Sequence, residues 1–511
     1  MLSLHEKIGQ MLMVGFDGLT PPDYILDWLV EGRITGVVLF ARNVASPEQL
    51  ATLTRACHAA ARRPILIGID QEGGLVARLR RGFSESPGAM ALSAAGSEAL
   101  AYDVAYVLAS EMRALGINWN YAPVVDLIHD INNPSVGTRS LGKDPARVSG
   151  FATAQIEGFQ SGGVAACAKH FPGLGNTPVD THLALAVIDD ALDDLLARDL
   201  IPFDAALASG VETVMTTHVK FPAIDPEHPA TLSPRIIQYL LRERLGYQGV
   251  VATDCMEMRA ITDHYGVGRS VLMAAQAGVD VIHMSHTRAS QEEAYNTLLD
   301  AAERGILPLA QVDAAVQRIQ RLKQHYAVNV EAISPRSVYN QSHQATMQQA
   351  ARQSLALLKA NPQVFPVDFH CRVAVVEFAS YMDSEVMEQG GDTAFVALLR
   401  TAEPNVQVLS LRAVDTDLED VRRAQSMAGA AEVFILVTRN AHMIKNELHI
   451  AQDLLRRAST SVLVCLKNPF DADVLAEAGT ILCTFGDSTP SLQAAIDALR
   501  GLVVPQATLP L

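Results

Sequence analysis

Eight short, almost continuously apolar runs punctuate the first part of the chain, at residues 11–16, 36–40, 65–70, 118–126, 163–170, 213–219, 249–254 and 279–284. Between them lie stretches whose apolar residues recur three and four positions apart, including 47–62, 100–115, 192–209 and 233–245. A strand covered on one face alternates apolar and polar residues; a run without alternation is covered on both. Continuous strands separated by helices therefore predict a parallel sheet with helices packed on it. Eight such units in about 290 residues predict a (β/α)₈ barrel of the TIM type.

The pattern changes after a last helical stretch at 312–326, where Val312, Val316, Ile319 and Leu322 share a face. Polar residues accumulate from 334 to 344 around Pro335, which divides the chain into a barrel domain at 1–335 and a C-terminal domain at 336–511. Further apolar runs follow at 372–378, 406–411, 433–438, 461–466 and 480–485, with helical segments such as 418–428 and 448–457 between them. This predicts a smaller doubly wound α/β domain. Three of its strands end in polar turns: Arg439-Asn440-Ala441-His442, Lys467-Asn468-Pro469 and Gly486-Asp487-Ser488. No GxGxxG or phosphate-binding loop occurs, so nucleotide binding has no support.

Composition narrows the partners. Forty Lys and Arg against 56 Asp and Glu give a net charge of −16, without any basic block, which argues against nucleic acid and anionic membranes. Met1-Leu2-Ser3-Leu4-His5-Glu6-Lys7 carries charge where a secretory signal needs an apolar core. No stretch approaches the ~18 apolar residues of a spanning helix. The six cysteines, at 57, 167, 255, 371, 465 and 483, form no CxxC pair and read as buried thiols. A cytoplasmic protein is expected.

The candidate chemistry sits at the ends of the strand runs. Asp70, Asp126, Lys169 with His170, His218 and Asp254 each lie at or just past the C-terminal end of one. An aspartate at a strand end is by itself most often a helix cap or an ion-pair partner. In a barrel, however, these ends converge on the face where active sites are built. The densest stretch runs from Lys169-His170-Phe171-Pro172-Gly173-Leu174-Gly175 to Asp180-Thr181-His182. Asp180 and His182, two apart on a loop, form either an Asx-turn beside an exposed imidazole or a dyad. In a dyad the carboxylate fixes the ring's tautomer and the other nitrogen moves a proton near neutral pH. Asp254 can act as nucleophile, metal ligand or base. Asp70 precedes Gln71-Glu72-Gly73-Gly74, whose paired glycines imply a tight turn, and Arg78 follows; Arg139 lies on the loop after the fourth run. Asp, Arg, Lys and His around one pocket suit a ligand dense in hydroxyls. Three other readings compete: a Schiff base on Lys169, as in an aldolase; a zinc hydrolase, for which HxH and HExxH are missing; and a sugar-binding barrel without catalysis.

The segment Lys-His-Phe-Pro-Gly-x-Gly-x₄-Asp-Thr-His resembles the signature of glycoside hydrolase family 3 β-N-acetylhexosaminidases. Asp70-Gln71-Glu72-Gly73-Gly74, Tyr121-Ala122-Pro123-Val124-Val125-Asp126, Gly137-Thr138-Arg139-Ser140 and the Thr253-Asp254 segment are similar too, and the resemblance extends to the C-terminal domain of two-domain members. It implies a retaining mechanism without metal or organic cofactor. Asp254 would be the nucleophile, His182 the general acid/base and Asp180 its orienting partner. Asp70, Arg78, Arg139, Lys169 and His170 would bind a terminal N-acetylglucosamine, in substrates that include cell-wall muropeptide fragments. Retaining glycosidases usually pair two carboxylates; an imidazole in place of one is less repulsive to phosphate, so a family 3 phosphorylase is the alternative, with a β-glucosidase behind it. Three positions depart from the pattern. Leu174 stands where many relatives carry His, Thr181 replaces the commoner Ser, and Leu75 follows Gly74 where Arg is common.

Overall fold

The computed structural model describes residues 2–177, 184–379, 394–412, 414 and 416–511. All eight predicted runs of the first domain form parallel strands: β1 (Leu12–Val14), β2 (Gly36–Leu39), β3 (Leu66–Ile69), β4 (Trp119–Asn120), β5 (Cys167–Phe171), β6 (Thr213–Thr216), β7 (Val250–Cys255) and β8 (Val281–Met284). Their order is β4-β3-β2-β1-β8-β7-β6-β5, and isolated parallel bridges Trp119↔Ala165 and Val124↔Lys169 join its two ends into a barrel. β4 is short because Pro123 offers no N–H to the ladder; the run continues toward Asp126 by single bonds such as Val125 N to the Lys169 carbonyl, 2.9 Å.

Side chains of Met13, Val38, Leu66, Trp119, Cys167, Met215, Ala252 and Val281 fill the barrel, and Ile319, Leu322 and Tyr326 of the helix Leu309–Tyr326 join them from below. The larger apolar layer lies between strands and outer helices. The predicted helix at 192–209 is two helices, Leu192–Ala197 and Leu200–Ala208. Pro202 has no N–H for the Arg198 carbonyl four residues back, so the helix cannot run through that turn.

The second domain is a six-stranded sheet: β9 (Ala356–Lys359), β10 (Val373–Ala379), β11 (Gln407–Arg412), β12 (Val433–Thr438), β13 (Ser461–Cys465) and β14 (Thr480–Cys483), in the order β9-β14-β13-β12-β10-β11. Its two faces are covered by separate apolar clusters, as a doubly wound sheet requires. The sequence reading missed β9, an antiparallel edge strand against β14. Ala356-Leu357-Leu358 follows directly on the helix Gln341–Gln353 and has no alternation to distinguish it from a last helical turn. Phe470 and Phe485 of this domain pack in one cluster with Met90, Ala91, Ala94 and Ile128 of the barrel, on the side where the barrel strands end.

Candidate active site

Asp70 directly follows β3, and the chain turns at once into a small antiparallel hairpin, Gln71–Gly73 against Val76–Ala77. Gly73 and Gly74 have φ of +92° and +61°, which explains the paired glycines. Asn120 at the end of β4 clips the hairpin, accepting from Gln71 N at 2.9 Å and donating to its carbonyl at 3.0 Å. The Gln71 side-chain oxygen accepts from Arg78 N at 2.8 Å and Leu79 N at 3.0 Å, so this glutamine places Arg78, whose guanidinium lies 3.9 Å from Asp70.

The hairpin also places Glu72, which the sequence reading did not single out. Glu72 binds Arg139 bidentately, accepting from Nε at 2.9 Å and Nη2 at 2.8 Å. Its Oε1 lies 2.6 Å from Lys169 Nζ, which also donates to Asp70 Oδ1 at 2.8 Å. Burial alone would raise the Glu72 carboxyl, but the charges of Arg139 and Lys169 outweigh it and hold the group far below the usual range. The same pairing keeps Lys169 charged: burial would lower it, and Asp70 and Glu72 raise it. The missed signal is the i, i+2 spacing of Asp70 and Glu72 in extended chain, which lets both carboxylates reach Lys169.

β5 delivers Lys169 and His170, joined by a cis peptide. The register of β5 against β6 slips between Lys169 and Phe171, so His170 leaves the ladder. Asp126 takes up the freed groups. It accepts from His170 N at 3.1 Å, from the ring Nδ1 at 2.7 Å and from Leu174 N at 2.8 Å. This fixes the imidazole's plane and assigns a proton to Nδ1. Asp126 is thus a positioning group behind His170.

Asp254, the next-to-last residue of β7, is half-buried, with Oδ1 accepting from Cys255 N at 2.7 Å. His218 is buried rather than part of the cavity wall: its Nδ1 meets the Thr231 hydroxyl and its Nε2 the Cys255 carbonyl, each at 2.9 Å, which steadies the backbone beside Asp254. His283 of β8, not weighed in the sequence, does line the cavity. Its Nδ1 faces the Thr253 carbonyl at 2.7 Å and its Nε2 the Tyr121 hydroxyl at 2.8 Å. Burial, opposed by the Thr253 carbonyl, lowers this imidazole to about 4.

Asp70, Arg78, Arg139, Lys169, His170 and Asp254 all line one cavity of about 160 Å³, the scale of a single sugar ring. Phe40, Val38, Met215, Met258 and Leu174 supply its apolar walls. Asp70, Glu72 and Asp254 balance Arg78, Arg139 and Lys169 in formal charge, and Asp126 adds a fourth carboxylate behind His170. Asp180 and His182 lie outside the described residues, as does Thr181. Leu174, the departure from the family pattern, puts an apolar side chain into the cavity while its N–H serves Asp126. Leu75 is not part of this wall; its carbonyl accepts from Arg80 at 3.2 Å.

A parallel barrel whose strand ends converge on paired charges and two half-buried aspartates, Asp70 and Asp254, has the architecture on which glycoside-processing enzymes are built. Residues 3–322 match the model of the glycosyl hydrolase family 3 N-terminal domain, and the chain belongs to that family and is a glycoside hydrolase. A β-hexosaminidase of Stenotrophomonas maltophilia is 43% identical over 288 residues, 55% of this chain and 85% of that protein. The structure of a family 3 β-N-acetylglucosaminidase from Paenibacillus sp. FPU-7 superposes with a TM-score of 0.94 at 35% identity, covering 100% of this chain and 99% of that one. A β-N-acetylhexosaminidase from Beutenbergia cavernae, 31% identical with a TM-score of 0.60, is covered over 99% of its length by 63% of this chain.

Proposed function

We propose that this protein is a retaining, exo-acting β-N-acetylglucosaminidase that releases terminal N-acetylglucosamine from glycosides such as cell-wall muropeptide fragments. The observation that carries this reading is the convergence of the six described site residues on one sugar-sized cavity. Asp70, Arg78, Arg139, Lys169 and His170 bind the sugar's hydroxyls and acetamido group. The Asp254 carboxylate attacks the anomeric carbon from below; His182, oriented by Asp180, protonates the departing glycosidic oxygen. His182 then takes a proton from water as that water displaces Asp254, and two inversions retain the configuration. The roles of Asp180 and His182 rest on the resemblance of their segment to the family signature.

The test is an assay on aryl β-glycosides of N-acetylglucosamine and glucose, with and without phosphate. The reading predicts free N-acetylglucosamine and no sugar phosphate. Preference for the glucoside would contradict the substrate, and a glycosyl phosphate would contradict the acceptor. Asp254→Ala should abolish turnover with its fold intact. His182→Ala should slow poor leaving groups far more than activated ones, because a good leaving group needs less protonation.

A further inference from the structure

The turn after β14, Gly486-Asp487-Ser488-Thr489, belongs to the second domain but touches the barrel segment that carries the sugar-binding hairpin. Gly486 approaches that segment so closely that a Cβ there would lie 2.8 Å from the Pro87 carbonyl and 3.9 Å from Gly74 Cα. Phe485, buried, holds a φ of +61°, a conformation non-glycine residues rarely adopt, and so aims the turn at this contact. Ser86 to Gly88 in turn back the hairpin: Gly74 N donates to the Ser86 carbonyl at 3.1 Å, and a Cβ on Gly74 would lie 2.8 Å from Gly88 Cα. The layers run from Gly486 through Pro87 to Gly73-Gly74, and from there along the backbone to Asp70 and Glu72.

A polar path runs beside this apolar one. Arg80 donates to the carbonyls of Gly74 and Leu75 at 3.0 and 3.2 Å, closing the hairpin's outer end, and lies 3.6 Å from Glu85. Glu85 accepts from Thr489 Oγ1 at 2.8 Å. Asp487, largely buried, faces Arg439 at 3.6 Å; burial would raise its carboxyl, but Lys467, Arg439 and the barrel's Arg80 together lower it. Its negative charge thus sits between cations of both domains.

We propose that the Gly486–Thr489 turn is a positioning element for the sugar-binding cluster: through Pro87, Glu85 and Arg80 the second domain holds the hairpin that aims Asp70 and Glu72. None of these second-domain residues lines the cavity. The inference rests on the proposed sugar site, and it predicts loosened sugar binding with intact chemistry once the turn is altered.

The experiment compares Asp487→Asn, nearly isosteric, and Gly486→Ala with the wild type on an aryl β-N-acetylglucosaminide, alongside thermal unfolding. KM should rise about 3- to 30-fold in both, with kcat changed less than KM; both substitutions lower the unfolding midpoint, and the kinetics are compared at a temperature where unfolding shows each variant still folded. Asp487→Glu, which keeps the charge, should recover most of the lost affinity. Unchanged KM in both variants, or an equal loss in Asp487→Glu and Asp487→Asn, overturns the inference while wild-type turnover keeps the proposed function standing. A wild type that turns over no N-acetylglucosaminide contradicts the proposed function itself.

Discussion

Glu72 shows how one buried residue sets the charge of the whole pocket. It neutralises Arg139 and Lys169 at once, and all three side chains are nearly inaccessible to water. Removing one member of a buried ion pair leaves its partners desolvated and uncompensated, at a cost of about 3–5 kcal/mol. Glu72→Gln should therefore lose stability on that order in denaturant titration and weaken sugar binding; wild-type stability would contradict the geometry. His283 offers a separate check. Its folded value of about 4 lies below the ~6.5 of an unfolded histidine, so the unfolded chain takes up the proton first as pH falls. Its contribution is fully present above pH ~6.5 and lost between ~6.5 and ~4, up to about 3 kcal/mol. Unfolding free energies measured across that interval should fall less steeply in His283→Gln. At this scale the sequence was partly legible. Asp70, Lys169, His170 and Asp254 were visible because strand ends mark the chemical face of a barrel. Glu72 and His283 were not, because their significance lies in partners 67 and 162 residues distant in sequence: Arg139 and Tyr121.

Among the elements, the hairpin at Gln71–Ala77 does most to shape the site. Gly74→Ala would place a Cβ at positive φ and 2.8 Å from Gly88 Cα. Strain and overpacking of this kind cost about 1–3 kcal/mol. The variant should be less stable by that order and should raise KM more than Gly96→Ala, where positive φ is also strained but a Cβ meets nothing within 4 Å. Equal KM values in the two variants would contradict a role for the hairpin's close packing. Apolar runs located all eight barrel strands, because burial on both faces leaves a strong signature. The same pattern could not show the hairpin, two and three residues per strand, nor the break before Leu200, nor β9. Each is decided by local backbone geometry or tertiary pairing rather than by periodicity.

For the whole molecule, the two ends of the barrel behave differently. The strand C-termini hold compensated charge, whereas the opposite end buries Lys323, whose Nζ donates to Gln10 Oε1 at 2.6 Å. Burial, reinforced by the charge of Arg63, lowers this ammonium to about 7. The unfolded chain holds the proton up to pH ~10.4, so the cost of burying it is full below pH 7 and fades as pH rises toward that value. Lys323→Met should raise stability by up to about 4 kcal/mol near pH 6, less ~1 kcal/mol for the Gln10 hydrogen bond, and the gain should shrink by pH 10. A gain independent of pH would contradict this. The alternation of strands and helices revealed both folds from sequence, but not how the domains meet. That junction depends on Gly486 and Phe485, where one close approach and one positive φ bring the second domain against the segment that backs the Gln71–Ala77 hairpin.

In the proposed mechanism Asp254 carries the sugar during turnover. Mixing the enzyme with an activated aryl β-N-acetylglucosaminide, quenching in acid within the first turnovers and mapping peptides by mass spectrometry tests it directly. N-acetylglucosamine should be attached to the peptide containing Asp254, and none should be found in Asp254→Ala. A sugar on another residue, or an unmodified Asp254 peptide together with an inverted anomeric product, would contradict it.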